Sequence, residues 1–174
     1  ISWLMWQMGS APYLGGGCGA CHSVCPTGAA SYAMPPSASL LARLRTLLSA
    51  YREAGGKKPV ILVHDERHGA EMISLMARFG RGLPANVIPF AVNEATQTGL
   101  DLLSGALAYG ASHVAVLVSP TKRGELTGLA QQAGLTETIM AGLGYDSGRV
   151  SVLVEEDPDA LEAQLFALPG MEPA

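Results

Sequence analysis

The sequence predicts an α/β fold in which a four-stranded parallel sheet is covered by helices on both faces. Three observations predict it. Short apolar runs such as Pro59-Val-Ile-Leu-Val-His64 and His113-Val-Ala-Val-Leu-Val-Ser119 are continuous rather than alternating, as expected of strands buried on both faces. Segments of helical period separate such runs, so that four β-α units follow one another from Lys57 onward. Of the 174 residues, 48% are hydrophobic and 15% charged, which suits a domain with a substantial core and is the opposite of a disordered composition.

Taken in order, residues 1–36 show no regular hydrophobic period. They hold Gly15-Gly16-Gly17, a cysteine cluster and Pro35-Pro36. The apolar opening, Ile1-Ser-Trp-Leu-Met-Trp-Gln-Met8, reads as a short anchoring helix or the remnant of a longer element. It is far shorter than the roughly 20 residues that cross a bilayer, and it lacks the basic region of a signal peptide. No membrane span is expected.

From Ser37 the pattern becomes helical. Leu40, Leu41, Leu44, Leu47, Leu48 and Tyr51 share one face. Ser37 or Ser39 is positioned to cap this helix and Gly55-Gly56 to stop it. Residues 37–56 are thus expected to be a packing helix that connects residues 1–36 to an α/β domain at 57–174.

In that domain, Pro59 to His64 is the first strand and Gly69 to Phe79 the first helix, with Met72, Ile73, Leu75, Met76 and Phe79 apolar. Asn86 to Val92 is the second strand. Thr96 to Tyr109 is the next helix, and His113 to Ser119 the third strand. Residues 123–143 are expected to be helical with a break near Gly134. Arg149 to Val154 is the fourth strand. Asp157 caps a last helix with Pro158 in its first position, and this helix runs to about Ala167. Pro89 cannot donate to a ladder, so the second strand belongs at an edge. A Rossmann or flavodoxin-like order 2-1-3-4 puts it there.

A net charge of −4 argues against a nucleic-acid binder, which would carry a basic stripe. In open parallel sheets ligands bind beyond the carboxyl ends of the strands. Those ends carry His64-Asp65-Glu66-Arg67-His68, Asn93-Glu94, Ser119-Pro120-Thr121-Lys122 and Glu155-Glu156-Asp157. His64 and His68 with Glu94 form one candidate metal set there; His64, Glu66, His68 and Glu94 form a candidate small-molecule site. The solvated-loop reading outweighs both, and His113, opening a strand, is expected to be structural. Gly80-Arg-Gly82-Leu-Pro-Ala85 follows a helix and precedes a strand, the reverse of a dinucleotide-binding context, and is rejected.

The chain has three cysteines, all within eight residues: Gly15-Gly-Gly-Cys18-Gly-Ala-Cys21-His22-Ser-Val-Cys25-Pro26-Thr-Gly-Ala29. An odd, clustered set does not make a disulfide framework, so a reduced, metal-type use and a cytoplasmic location are favoured. The pattern C-x2-C-x3-C-P lets several sulfurs converge on one iron–sulfur cluster. The same residues offer rivals. Cys18-Gly-Ala-Cys21-His22 is the C-x-x-C-H of c-type haem attachment, which leaves Cys25-Pro26 unexplained. Three Cys and His22 offer a zinc site, with adjacent Cys21 and His22 awkward for tetrahedral closure. Buried thiols without a ligand role are the plain alternative.

Residues 18–32 resemble one half of a bacterial two-cluster 4Fe-4S ferredoxin, whose run is C-x2-C-x2-C-x3-C-P. Gly15 stands where that run has its first cysteine, and no other cysteine follows. The resemblance implies that the missing ligands lie on sequence outside these residues, that a cuboidal cluster (3Fe-4S included) is held by three cysteines and another ligand, or that the site is empty. Residues 59–168 resemble the delta subunit of methyl-viologen-reducing hydrogenases. The likeness runs through Leu83-Pro-Ala-Asn-Val87, Ala108-Tyr-Gly-Ala-Ser112 with its strand, and Gly142-Leu-Gly144 before Arg149-Val150. In that family cysteines in the loops after the first three strands bind a further cluster; here those loops have none. The resemblance implies the C-terminal part of a longer redox protein.

The expectation is an iron–sulfur electron-transfer component rather than a stand-alone catalyst. Cys18, Cys21 and Cys25 would be its ligands, and a redox protein or other domains of a larger chain its partner. The alternative is a docking or scaffold module with a degenerate cluster site.

Overall fold

The computed structural model describes residues 24, 25, 36–168, 170, 172 and 173. Its sheet has four parallel strands, β1 (Val60–Asp65), β2 (Val87–Val92), β3 (His113–Val118) and β4 (Val150–Val154). Their order is β2-β1-β3-β4, as the sequence predicts. The α-helices are α1 (Ser37–Glu53), α2 (His68–Phe79), α3 (Leu100–Ala108), α4 (Leu126–Gly142) and α5 (Pro158–Phe166). Two 3-10 helices, Ala95–Gln97 and Pro120–Glu125, lie in the loops after β2 and β3.

The two central strands, β1 and β3, are buried at every position. Their side chains alternate between two cores, as the pleat requires. Ile61, Val63, Val114, Val116 and Val118 meet α1, α3 and α4 on one face. Val60, Leu62, Ala115 and Leu117 meet Met72 and Met76 of α2 and Leu161 and Leu165 of α5 on the other. The edge strands differ. β2 is mixed in burial, with Val87, Phe90 and Val92 buried and Ile88 and Ala91 half-buried, and its exposed Pro89 lies beside Leu62 of β1. β4 is half-buried throughout.

α1 carries its predicted stripe into the first core, with Leu40, Leu44 and Leu48 buried. Burying each leucine contributes about 1.5–3 kcal/mol. On the outer side Arg43 lies 4.1 Å over the Phe90 ring and donates to the Ala91 carbonyl, fixing the helix across β2. Gly55 ends α1 with φ at +84°, while Gly55 and Gly56 donate to the carbonyls of Arg52 and Tyr51. This is a Schellman turn, which needs a residue free to adopt a left-handed conformation.

Three local expectations are corrected. The residue before α1 is Pro36, which makes no side-chain cap; its carbonyl accepts from Ser39 and Leu40 instead of a serine hydroxyl opening the helix. The stretch from Thr96 is not one helix. A 3-10 turn ends at Gln97, and an extended Gly99 (φ −105°, ψ −179°) precedes α3. α4 is unbroken through Gly134, and the irregularity falls earlier, in the 3-10 helix before Leu126. Gly134 is exposed with open space where a Cβ would be, so it costs the helix only the usual ~1 kcal/mol relative to alanine. At α5 Asp157 accepts from the Asp159 N–H at 3.1 Å with Pro158 in the first position, as the sequence predicts.

Candidate functional site

The strand order reverses between β1 and β3, and the crevice beyond their carboxyl ends is where open α/β sheets hold ligands. β1 ends in His64 and Asp65, both buried. One Asp65 carboxylate oxygen accepts from the N–H groups of Arg67 (2.9 Å) and Gly69 (3.2 Å), so it closes the entry to α2. His64 donates from Nδ1 to the Asp65 carbonyl at 2.9 Å. His68 donates from Nε2 to the Glu155 carbonyl at 2.7 Å, tying the start of α2 to the end of β4. A carbonyl can only accept, so each of these ring nitrogens carries its hydrogen.

The loops after β2 and β3 join in a polar cluster. Lys122 Nζ lies 3.6 Å from both Glu94 Oε2 and Glu125 Oε1, and the Thr96 hydroxyl donates to Glu125 Oε2 at 3.0 Å. Glu94 therefore faces Lys122, while His68 faces β4. The structure does not bring His64, His68 and Glu94 together as a metal set. Among the described residues, no group of three His, Cys, Asp or Glu side chains is placed to hold a metal ion.

The chain itself fills the mouth of the crevice. Ala95, Thr96 and Gln97 are 2%, 2% and 4% exposed, Thr98 is fully buried, and the 3-10 helix packs on β1, β3 and α4. Gln97 Oε1 and Thr98 Oγ1 are buried there without a hydrogen-bond partner. Sequence reasoning missed this plug by merging it into the next helix; the signal was Gly99, which breaks the helical period.

At the end of β4, Glu155 Oε1 accepts from the Glu156 and Asp157 N–H groups, and Gln164 donates to Oε2. The backbone N–H of Asp157, then that of Glu156, holds the Glu155 carboxyl below the usual range. The glycine loop at 80–82 has a partner of its own. Glu162 of α5 accepts from the Arg81 N–H (2.6 Å), the Gly82 N–H (3.1 Å) and Arg81 Nε (2.8 Å). The Arg81 side-chain bond leads in holding the Glu162 carboxyl low. A carboxylate of the chain thus takes the donors that a phosphate would need, which agrees with rejecting a nucleotide site.

The opposite end of the sheet holds a second polar group. His113 is buried and its Nε2 bonds the Ser151 hydroxyl at 2.9 Å. Arg149, 3% exposed, donates to the carbonyls of Ser112 and Glu172 and lies 5.3 Å from the Tyr145 ring. Burial pushes the His113 pKa down, as does the nearby Arg149 charge, against the opposing pull of the Gly148 backbone and Glu137. His113 serves structure, as expected.

Of the three candidate thiols, Cys25 is half-buried, and Cys18 and Cys21, with His22, lie outside the described residues. The neighbouring Val24, 45% exposed, lies beside the first turn of α4, where a Cβ on Gly128 would sit 3.3 Å from Val24 Cγ1. That turn follows the loop leaving β3, so Cys25 stands at the end of the domain where the strand-end loops gather. Three thiolates suit soft metals and iron–sulfur clusters, a donor set that fits the group the sequence suggests.

Among the described residues no helix is long and apolar enough to cross a membrane. No model of a known protein family matches the chain, and no curated protein matches it.

Proposed function

We propose that the chain is an iron–sulfur electron-transfer component working inside a larger redox assembly. Cys18, Cys21 and Cys25 are the thiolate ligands of a 4Fe-4S cluster or of its three-iron form. The observation that carries the reading is the spacing C-x2-C-x3-C-P behind a run of three glycines. A cluster supplies one-electron transfer when bound. The rest would fall to the chain: backbone N–H groups of the glycine-rich loop and exclusion of water would tune the potential of a bound cluster. The position of Val24 beside the first turn of α4 supports the reading, because it sets the end of the cysteine run next to a rigid helix. The cysteine replaced by Gly15 leaves a coordination position for another residue or a partner chain.

A second reading, a docking or scaffold module with an empty cysteine site, is favoured by one observation. Residues 95–98 fill the crevice that a small ligand of such a sheet would use.

Anaerobic reconstitution of the full chain with iron and sulfide separates the two. The electron-transfer reading expects a brown protein with broad absorbance that bleaches on reduction. Each of Cys18→Ser, Cys21→Ser and Cys25→Ser should lower cluster content. A colourless protein leaves the docking reading standing, and a positive pyridine haemochrome spectrum would replace both with haem.

A further inference from the structure

We propose that Arg149 and Lys58 form a binding site for a small dicarboxylate at the amino end of the sheet, and that Glu172 covers this site as a stand-in for the ligand. The site lies at the end away from the switch point. It stands whether or not the cysteines bind a cluster.

Arg149 is buried just ahead of β4, and a guanidinium is always protonated. Buried charges are normally paired, because an unpaired ion is costly to take out of water. The chain has an excess of acidic residues, yet Arg149 is in no ion pair among the described residues. Glu137 is engaged beside it. Its two carboxylate oxygens accept the N–H groups of Gly148 and Val150, the residues on either side of Arg149. Arg149 Nη1 donates to two carbonyls, those of Ser112 at 3.3 Å and Glu172 at 2.8 Å. Its Nε is buried without a partner. A carbonyl brings one oxygen and no charge. A carboxylate in the same place brings two oxygens and the missing charge.

Lys58 is the second cation. Among the described residues it is the one non-glycine with a left-handed backbone, φ +49°, a conformation that disfavours a residue with a Cβ. Asn86 donates to its carbonyl at 3.1 Å. Its Nζ donates to the Gly170 carbonyl at 2.7 Å and pairs with the Glu172 carboxylate at 2.9 Å.

Glu172 thus bridges the two cations, with its carboxylate on Lys58 and its carbonyl on Arg149. From carbonyl carbon to carboxylate carbon its skeleton is that of glutarate, with one end lacking the charge. A free dicarboxylate of that length meets Lys58 with one end and neutralises Arg149 with the other. The cover is weakly held: Gly170 and Glu172 are exposed, and an exposed ion pair contributes little.

The test is titration of the full chain with glutarate, followed at the Arg149 side-chain Nε–H resonance by NMR, with acetate at matched ionic strength as the control. Glutarate should shift this resonance saturably and acetate should not. Glu172→Gln removes the covering charge and should bind glutarate about threefold tighter or more. Lys58→Gln should bind it about tenfold more weakly. Both changed side chains reach solvent, 78% and 41% exposed, so neither change threatens the fold. A resonance unmoved by glutarate in both the wild type and Glu172→Gln overturns the proposal. So does an equal response to acetate, which marks an adventitious ion only, and so does binding indifferent to Lys58→Gln. Glutarate bound no tighter by Glu172→Gln overturns the covering role.

Discussion

His113 shows how burial turns one side chain into a pH dependence. Its folded pKa lies below the ordinary value near 6.5, chiefly because burial disfavours the imidazolium. As pH falls, the unfolded chain takes up the proton first. The stability that the neutral ring contributes is therefore full above about pH 6.5 and is lost as pH falls through the lowered folded value. Urea denaturation at a series of pH values should show wild-type stability declining below about pH 6.5. His113→Gln should remove part of that decline, and an unchanged profile would deny the buried ring this role. Glu155 and Glu162, both held low, act in the carboxylate range and leave this window clear. Gly69 is a second residue with a legible consequence. A Cβ there would lie 2.5 Å from the His64 Cβ, so Gly69→Ala should cost about 1–3 kcal/mol, read as a lower denaturation midpoint at unchanged slope. Asp65, by contrast, was read from sequence as one of several strand-end polar groups. Its task, accepting the N–H groups that open α2, depends on a turn geometry that a linear pattern does not contain.

At the scale of elements, α1 and α5 make separable predictions. Leu44 is fully buried in α1, so Leu44→Ala should cost about 2–5 kcal/mol through lost transfer and the cavity left behind. Asp157→Ala removes only the side-chain cap of α5 and should cost about 0.5–2 kcal/mol. Chemical denaturation of both variants measures the two, and a Leu44→Ala loss no larger than that of Asp157→Ala would place α1 outside the core. The leucine stripe of α1, the Asp157-Pro158 start of α5 and the edge position forced by Pro89 were all legible, because each rests on a local rule. The start of α1 was not, since Pro36 supplies a carbonyl where a serine hydroxyl was expected. The continuity of α4 through Gly134 was not either, because one exposed glycine is too small a penalty to break a helix held by Leu129, Thr136 and Met140.

At the scale of the whole molecule, the strand order and the two helical layers followed from alternation and one proline, while the occupancy of the switch point did not. The plug at 95–98 is set by tertiary packing on β1, β3 and α4, to which the local sequence is blind. The same holds for the position of Val24 beside the first turn of α4, about a hundred residues away along the chain. The proposed cysteine chemistry rests on spacing alone, and on it the account stands. Iron and acid-labile sulfide analysis of the anaerobically reconstituted full chain tests it most directly. The account predicts about three to four iron atoms and about four sulfides per chain, lost when Cys18, Cys21 and Cys25 are all changed to serine. A folded protein that emerges colourless, with no iron and no sulfide, would contradict it.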